Sequence, residues 1–123
     1  MGFDVLDLGT DGPDSVDYPD YGEALAKAIA AGRAKFGVAI CGTGIGISIA
    51  ANRERKVRAA LCHDVSTARL SREHNDANVL VLGARTLGIQ TARDCLKTFL
   101  TTAFAGGRHV RRVAKLSPDD GGQ

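Results

Sequence analysis

A chain of 123 residues, with 44% hydrophobic and 24% charged residues, has the composition of one ordinary globular domain and is too short for two. Its net charge of +2 gives no general case for nucleic acid binding, and no apolar run approaches the roughly 20 residues that cross a bilayer, so neither nucleic acid nor membrane is expected as a partner. The three cysteines, Cys41, Cys62 and Cys95, form no CxxC pair, which argues against a disulfide framework or a zinc site and favours a reducing, cytoplasmic setting.

The first third of the chain predicts a strand, a loop, a helix and a second strand. Residues 3–8 (FDVLDL) alternate apolar and acidic side chains, as a strand with one exposed face does. Residues 9–18 have the Asp, Gly, Pro and Ser content of a loop. Apolar residues spaced three and four apart predict a helix over 19–31, which Gly32 ends. The continuously apolar run 36–40 predicts a strand buried on both faces.

The rest of the chain continues the alternation. Helices are predicted over 45–53, 65–72 and 89–104, with strands over 57–62 and 79–82 between them. Strands that alternate with helices at this spacing predict a parallel sheet with helices on both faces, which is a three-layer α/β/α, Rossmann-like fold. In such a sheet the ligand lies beyond the carboxyl ends of the strands.

The stretch 38–52 (VAICGTGIGISIAAN) is the strongest local signal for a site. A free cysteine is usually a small buried hydrophobe, and we interpret Cys62 and Cys95 in that way. Cys41 differs because it directly precedes GTGIG at a predicted helix start, where a thiolate is stabilised and can act as a base or nucleophile. The loop lacks the lysine of a P-loop and the third glycine of a dinucleotide fingerprint, so a nucleotide site is poorly supported.

Three other polar groups are candidates, each with a structural alternative. His74, Asn75 and Asn78 form a cluster that could bond a sugar or simply end a surface helix, and we favour the sugar site. His63 and Asp64 follow a predicted strand, and a satisfied structural pair is the default interpretation.

The run 108–112 (RHVRR) follows two glycines and places two arginines four apart on one helical face. Such a pair can bind a phosphate bidentately. Nucleic acid binding is the other use of such a basic run, but this segment lacks the interleaved aromatic residues that stack on bases.

Several of these motifs together resemble the type B ribose-5-phosphate isomerases, in the group that also contains the galactose-6-phosphate isomerase subunits. The matching segments, in family order over nearly the whole chain, are 17–21 (DYPDY), 41–52 (CGTGIGISIAAN), 58–64 (RAALCHD), 68–85 (ARLSREHNDANVLVLGAR) and 106–113 (GGRHVRRV). The resemblance implies an aldose–ketose isomerisation, ribose 5-phosphate to ribulose 5-phosphate, through an enediolate and without a metal or organic cofactor.

The resemblance also implies residue roles. Cys41 matches the base that moves a proton between C1 and C2, Thr43 a residue that assists proton transfer to the oxygens, and His74 the histidine that opens the furanose ring. Backbone N–H groups of residues 42–46 are expected to stabilise the enediolate, and the arginines are expected to bind the phosphate. The substrate-binding residues that it implies are Tyr18, Gly42, Gly44, Ile45, Gly46, Asn75, Arg85, Arg108, His109 and Arg112.

A single domain over residues 1–116, assembled as a homodimer or homotetramer, is also implied. Residues 105–116 are expected to reach the active site of a partner subunit, and 117–123 to form a disordered tail. Relative to the family, the chain lacks the N-terminal strand–helix unit with its DHAG-like motif, so we expect an N-terminally truncated sheet. The implied enzyme belongs to the pentose phosphate pathway. The alternatives are an isomerase of allose 6-phosphate or galactose 6-phosphate, and an inactive sugar-phosphate-binding protein.

Overall fold

The sheet and its helices follow the predicted alternation. A computed structural model of the protein describes residues 2–9 and 17–117. Within these ranges the elements, in chain order, are α1 (Tyr18–Ala30), β1 (Gly37–Cys41), α2 (Ile45–Ala51), β2 (Ala59–Leu61), α3 (Val65–Asn75), β3 (Val79–Gly83), α4 (Ile89–Thr101) and α5 (His109–Leu116). No helix in these ranges combines the length and the apolar character that crossing a bilayer requires.

The three described strands form a parallel sheet in the order β1-β3-β2. All five residues of the central strand β3 are buried, as expected for an apolar run that is covered on both faces. The same burial was predicted for the run 36–40, and there the prediction is wrong. β1 lies at an edge of the described sheet, so Val38 is 39% exposed and Ile40 is 59% exposed. Apolar composition alone does not distinguish an edge strand from a central one.

Helices cover the two faces of the sheet and complete the three layers. Val79 and Val81 point from β3 toward α1 and α2, where they pack with Ile47. Leu80 points the other way, toward α3 and α4, where it packs with Phe99. Cys62 and Cys95 are buried in this second cluster, which confirms their interpretation as core residues. The predicted α/β/α, Rossmann-like architecture is therefore present.

The predicted strand over 3–8 is wrong. These residues are described, yet they pair with no described strand, and Phe3, Val5 and Leu6 are 51%, 86% and 46% exposed. Alternating polarity marks a segment that suits a pleated surface, but a strand forms only when a neighbour completes its hydrogen-bond ladder. Residues 10–16 of the predicted loop lie outside the described residues.

Two helix ends differ from expectation by three residues each. α3 continues to Asn75, three residues beyond the predicted end, and α4 stops three residues before its predicted end. Ser117 is the first residue of the predicted tail, and its Oγ accepts a hydrogen bond of 3.0 Å from Arg58 Nη1. Residues 118–123 of the predicted tail lie outside the described residues.

Candidate active site

The loop after β1 folds back around the sulfur of Cys41. The backbone N–H of Gly44 donates to Cys41 Sγ at 3.2 Å, and the N–H of Ile45 donates to Thr43 Oγ1 at 3.2 Å. Gly44 has a φ of +82° and directly precedes α2, so the chain turns there in a conformation that suits glycine. The hydrogen bond from Gly44 thereby fixes the sulfur of Cys41 at the carboxyl end of β1, the edge of a parallel sheet where ligands bind.

Tyr18 lies against the same loop. A side chain added at Gly46 would collide with the Tyr18 ring, whose hydroxyl oxygen would lie only 2.7 Å from the new Cβ. The glycine thus lets the first residue of α1 pack onto the start of α2. Because Tyr18 is 45% exposed, its ring lines an open surface beside the loop. The structure brings together two residues that are 28 positions apart in the chain.

Arg85 reaches the loop from the end of β3. Its backbone N–H donates to the carbonyl of Gly42 at 2.8 Å, and the N–H of Ala84 donates to the carbonyl of Cys41 at 2.8 Å. The Arg85 side chain lies along Gly42, where an added Cβ would be 3.5 Å from Nε. A solvent-exposed guanidinium therefore stands beside the Cys41 loop, where it can attract an anionic ligand.

Gly83 is a site residue that the sequence analysis missed. A Cβ at this position would lie 2.5 Å from the carbonyl oxygen of Thr43, so only glycine lets the end of β3 approach the Cys41 loop so closely. The available signal was a glycine at the end of a buried apolar strand, which often marks a close backbone approach. This contact locks the two loops at the carboxyl edge of the sheet together.

A second cluster joins α3 to α5. The rings of His74 and His109 stack with centroids 4.4 Å apart and an interplanar angle of 15°. Loss of hydration around the ring, and then the positive charges of His74, Arg108 and Arg112, lower the pKa of His109 below its ordinary value. Asn75 is the last residue of α3. Two imidazoles and two guanidinium groups in one place make an electropositive cluster that suits a phosphate.

The two clusters lie at opposite edges of the sheet. Asp64 caps α3 just after β2 ends, and the helix then runs back against the strand direction for 11 residues. A rise of about 1.5 Å per residue carries His74 some 15 Å away from the carboxyl edge. The strand β3 begins only four residues after Asn75. One chain therefore does not bring His74, Asn75, Arg108, His109 and Arg112 to Cys41, Thr43 and Arg85.

The remaining polar candidates serve the fold. Asp64 Oδ1 accepts the Thr67 N–H at 2.7 Å in a capping box, and this bond lowers the pKa of the Asp64 carboxyl. The structural interpretation of this residue is supported. Asn78 accepts the Arg58 N–H at 2.7 Å and donates to the carbonyl of Lys56 at 2.8 Å, so its amide is used between β2 and β3 rather than at a site. Among the described residues, no three His, Cys, Asp or Glu side chains are grouped to hold a metal ion.

Residues 1–116 match the family described as Ribose/Galactose Isomerase. The chain belongs to this family. The ribose/galactose isomerase family comprises enzymes that act on sugar phosphates, and the chain is accordingly an aldose–ketose isomerase of the sugar-phosphate kind. The match confirms the family that the sequence motifs indicated.

Relatives within the ribose/galactose isomerase family agree with this assignment. Ribose-5-phosphate isomerase B of Escherichia coli is 43% identical over 116 residues, which cover 94% of this chain and 78% of that protein. A ribose 5-phosphate isomerase from Thermotoga maritima, whose crystal structure is known, is 50% identical in sequence to this chain. The two structures superpose with a TM-score of 0.92 over 96% of this chain and 81% of the Thermotoga chain. D-erythrulose-4-phosphate isomerase of Pectobacterium atrosepticum is 41% identical over 99 residues, which cover 80% of this chain and 65% of that protein.

Proposed function

We propose that this chain interconverts ribose 5-phosphate and ribulose 5-phosphate through an enediolate, with Cys41 as the base. The observation that carries the proposal is the hydrogen bond from the Gly44 N–H to the half-buried Cys41 Sγ, in a loop that contacts Arg85 at Gly42 and Tyr18 at Gly46. A thiolate held in this way can accept a proton from carbon, and the family supplies the class of substrate. The reaction belongs to the pentose phosphate pathway.

The loop supplies groups for each proton that moves. Cys41 takes the proton from C2 of the open-chain aldose and returns it to C1, while the proton on O2 passes to O1. Thr43 Oγ1 accepts the N–H of Ile45, which leaves its own hydroxyl proton free to be directed at a sugar oxygen. The charge that develops on the enediolate oxygens is stabilised by N–H groups of residues 42–46 other than those of Gly44 and Ile45, which donate to Cys41 Sγ and Thr43 Oγ1. These roles require no metal and no organic cofactor.

The rest of the site comes from a second copy of the chain. His74 opens the furanose ring, Asn75 binds the sugar, and Arg108, His109 and Arg112 bind the phosphate. Because these residues lie at the opposite edge of the sheet from Cys41, a homodimer, alone or paired into a tetramer, is needed to complete the site.

Exposed apolar residues support this assembly. Ile45 and Ile49 are 54% and 56% exposed on the face of α2 beside the Cys41 loop. On α5, Val110 and Leu116 are 54% and 60% exposed. Burying both stripes between two copies removes apolar surface from water and brings α5 toward the Cys41 loop of its neighbour.

The chemistry is tested by measuring the turnover of ribose 5-phosphate by purified protein in a coupled assay. Cys41→Ser is expected to lower kcat at least about 100-fold, as loss of a general base does. Cys95→Ala, a substitution of a buried thiol in the core between α3 and α4, serves as the control and should stay within about threefold of wild type. Wild-type turnover that survives Cys41→Ser would reject Cys41 as the base.

The substrate is tested with a panel in the same assay. Ribose 5-phosphate is expected to give the highest kcat/KM among ribose 5-phosphate, allose 6-phosphate, galactose 6-phosphate and D-erythrulose 4-phosphate. A higher value with a six-carbon sugar would replace the proposed substrate within the same chemistry. Binding of a sugar phosphate in calorimetry without turnover of any member would instead identify an inactive sugar-phosphate-binding protein.

Sharing of the site is tested by mixing two inactive variants. Cys41→Ser and Arg112→Ala each disable a different half of the composite site. In a 1:1 mixture that exchanges subunits, half of the dimers are mixed and each has one intact site, so about a quarter of the wild-type activity should return. A mixture that stays inactive despite demonstrated subunit exchange contradicts a site shared between copies.

A further inference from the structure

Arg72 is a charged residue that the fold buries. It is 5% exposed, and a guanidinium in that position is stable only when its donors are satisfied. Its Nη1 donates to Asp76 Oδ1 at 2.9 Å and to the carbonyl of Ala77 at 2.6 Å, while Nε donates to the carbonyl of Thr102 at 3.0 Å. Its planar head also lies 4.9 Å from the ring centre of Phe36. Arg72 therefore ties the end of α3 to the chain that follows α4.

Arg58 extends this network to the far end of α5. Its Nε donates to the backbone carbonyl of Asp76 at 2.8 Å, and its Nη2 lies 3.5 Å from Asp76 Oδ2. Its Nη1 donates to Ser117 Oγ at 3.0 Å, one residue after α5 ends. Asp76 itself adopts a left-handed conformation, with a φ of +46°, at the end of α3. The carboxylate of Asp76 thus lies between two guanidinium groups, one of which holds the start of the segment between α4 and α5 and the other the residue after α5.

Helix α5 depends on such ties because the hydrophobic core does not hold it. In the described part of the chain, α5 contributes no buried residue, and two glycines with positive φ, Gly106 and Gly107, precede it. Its further attachments include the stacking of His109 on His74 and a hydrogen bond of 3.0 Å from the Ala105 N–H to the carbonyl of Glu73. A helix that contributes no buried residue to the described core is expected to shift when one of these contacts is removed.

We propose that Arg58, Asp76 and Arg72 are positioning residues, which hold α5 against the end of α3 so that Arg108, His109 and Arg112 face the phosphate of the substrate together with His74. The proposal rests on the function proposed above, because it assigns these three residues to the same site. None of them touches the substrate. They act by orienting α5, the helix whose residues bind the phosphate of the substrate.

Asp76→Gly tests the proposal with little risk to the fold. Glycine adopts a positive φ without strain, so the backbone at the end of α3 is kept while the carboxylate is removed. Asp76→Asn is the conservative variant, because asparagine also tolerates this conformation and keeps an oxygen for Arg72 Nη1. Asp94→Asn removes a negative charge from an exposed position of α4 and is the matched control.

Three measurements are made on each variant. Hydrogen exchange of residues 105–117 reports on α5, with residues 89–101 of α4 as the internal reference. Calorimetry gives the Kd for inorganic phosphate without requiring turnover. Steady-state kinetics with ribose 5-phosphate separate KM from kcat. In Asp76→Gly we expect at least about tenfold faster exchange over 105–117 with α4 unchanged, and a rise of about tenfold in both the phosphate Kd and KM, with kcat within about threefold. Asp76→Asn should restore most of the loss, and Asp94→Asn should match wild type.

Unchanged exchange over 105–117 in Asp76→Gly would overturn the proposal, and so would faster exchange with an unchanged phosphate Kd. Failure of the proposed function looks different. If the wild-type protein turns over no sugar phosphate, the isomerase proposal fails, whereas the exchange and phosphate measurements still decide whether Asp76 positions α5 for anion binding. A loss of kcat with KM unchanged would assign Asp76 to a merely structural role around His74 and would also overturn the proposal.

Discussion

Gly83→Ala tests how closely the end of β3 approaches the Cys41 loop. The added methyl group would lie 2.5 Å from the carbonyl oxygen of Thr43 and 2.7 Å from its carbonyl carbon, whereas ordinary contact begins at 3.4 Å. The Thr43 backbone must therefore move by about 0.9 Å, and it cannot rotate away as a flexible side chain could. Such a shift displaces Thr43 Oγ1 and the neighbouring Gly44 N–H, which donates to Cys41 Sγ.

Gly83→Ala is expected to lower both stability and activity, because it overpacks the contact with Thr43 and displaces catalytic groups. Inserting a methyl group into a tight contact costs about 1–3 kcal/mol of stability, which for a domain of this size lowers Tm by about 5–10 °C. A displacement of about 1 Å in catalytic groups lowers kcat/KM by up to about 100-fold. The assay is turnover of ribose 5-phosphate at a temperature well below the Tm of both proteins, so that the loss of activity reflects the site and not unfolding.

Gly88→Ala provides the matched control. Gly88 has a φ of −73°, and among the described residues no heavy atom lies within 4 Å of a Cβ added there. We expect this variant to keep its activity within about twofold and its Tm within about 3 °C of wild type. If Gly83→Ala behaved like Gly88→Ala in both measurements, the close approach of Thr43 to Gly83 would be refuted.

Two further predictions concern titratable groups. His109→Asn should reduce the pH dependence of stability. The pKa of His109 is lower in the folded protein than its unfolded value of about 6.5, so its titration does not change stability above that pH. As the pH falls from there through the folded pKa, His109 destabilises the fold because the unfolded chain binds the proton more tightly. Thermal melts at several pH values check this, and a variant as acid-sensitive as wild type over that window would contradict it. Asp64→Ala should lower Tm by about 5 °C at neutral pH through loss of the α3 cap. The difference in Tm between variant and wild type should disappear as the pH falls through the lowered pKa of Asp64. Equal melting temperatures of the two proteins at pH 7 would disprove the capping role.

Local patterns predicted most of the fold. Apolar spacing located four helices and three strands of the central body to within a few residues, and the alternation of strands and helices predicted the parallel three-layer arrangement that the structure shows. The failures occurred where a neighbouring segment decides the outcome. Residues 3–8 have the polarity of a strand but no described strand beside them, and β1 has the composition of a central strand but lies at an edge.

The site divides in the same way. Cys41, Thr43 and Tyr18 could be proposed from sequence because a thiol before a glycine-rich helix start, and the resemblance built on it, are local features. Their predicted roles stay predictions. Gly83 escaped notice because its importance depends on the Thr43 carbonyl, which lies 40 residues away in the chain and touches it only in the folded molecule.

By itself, the sequence determined the secondary structure of the body, the family and the identity of the chemical groups, since these depend on residue type and short-range spacing. Only the tertiary structure decided where those groups stand. It separates His74 and the α5 arginines from Cys41, because α3 runs back along the sheet before it ends. It also places Asp76 between Arg58 and Arg72, which are 14 positions apart in the chain. Residues before β2 and at the end of α3 meet there through tertiary packing, which no short-range sequence pattern predicts.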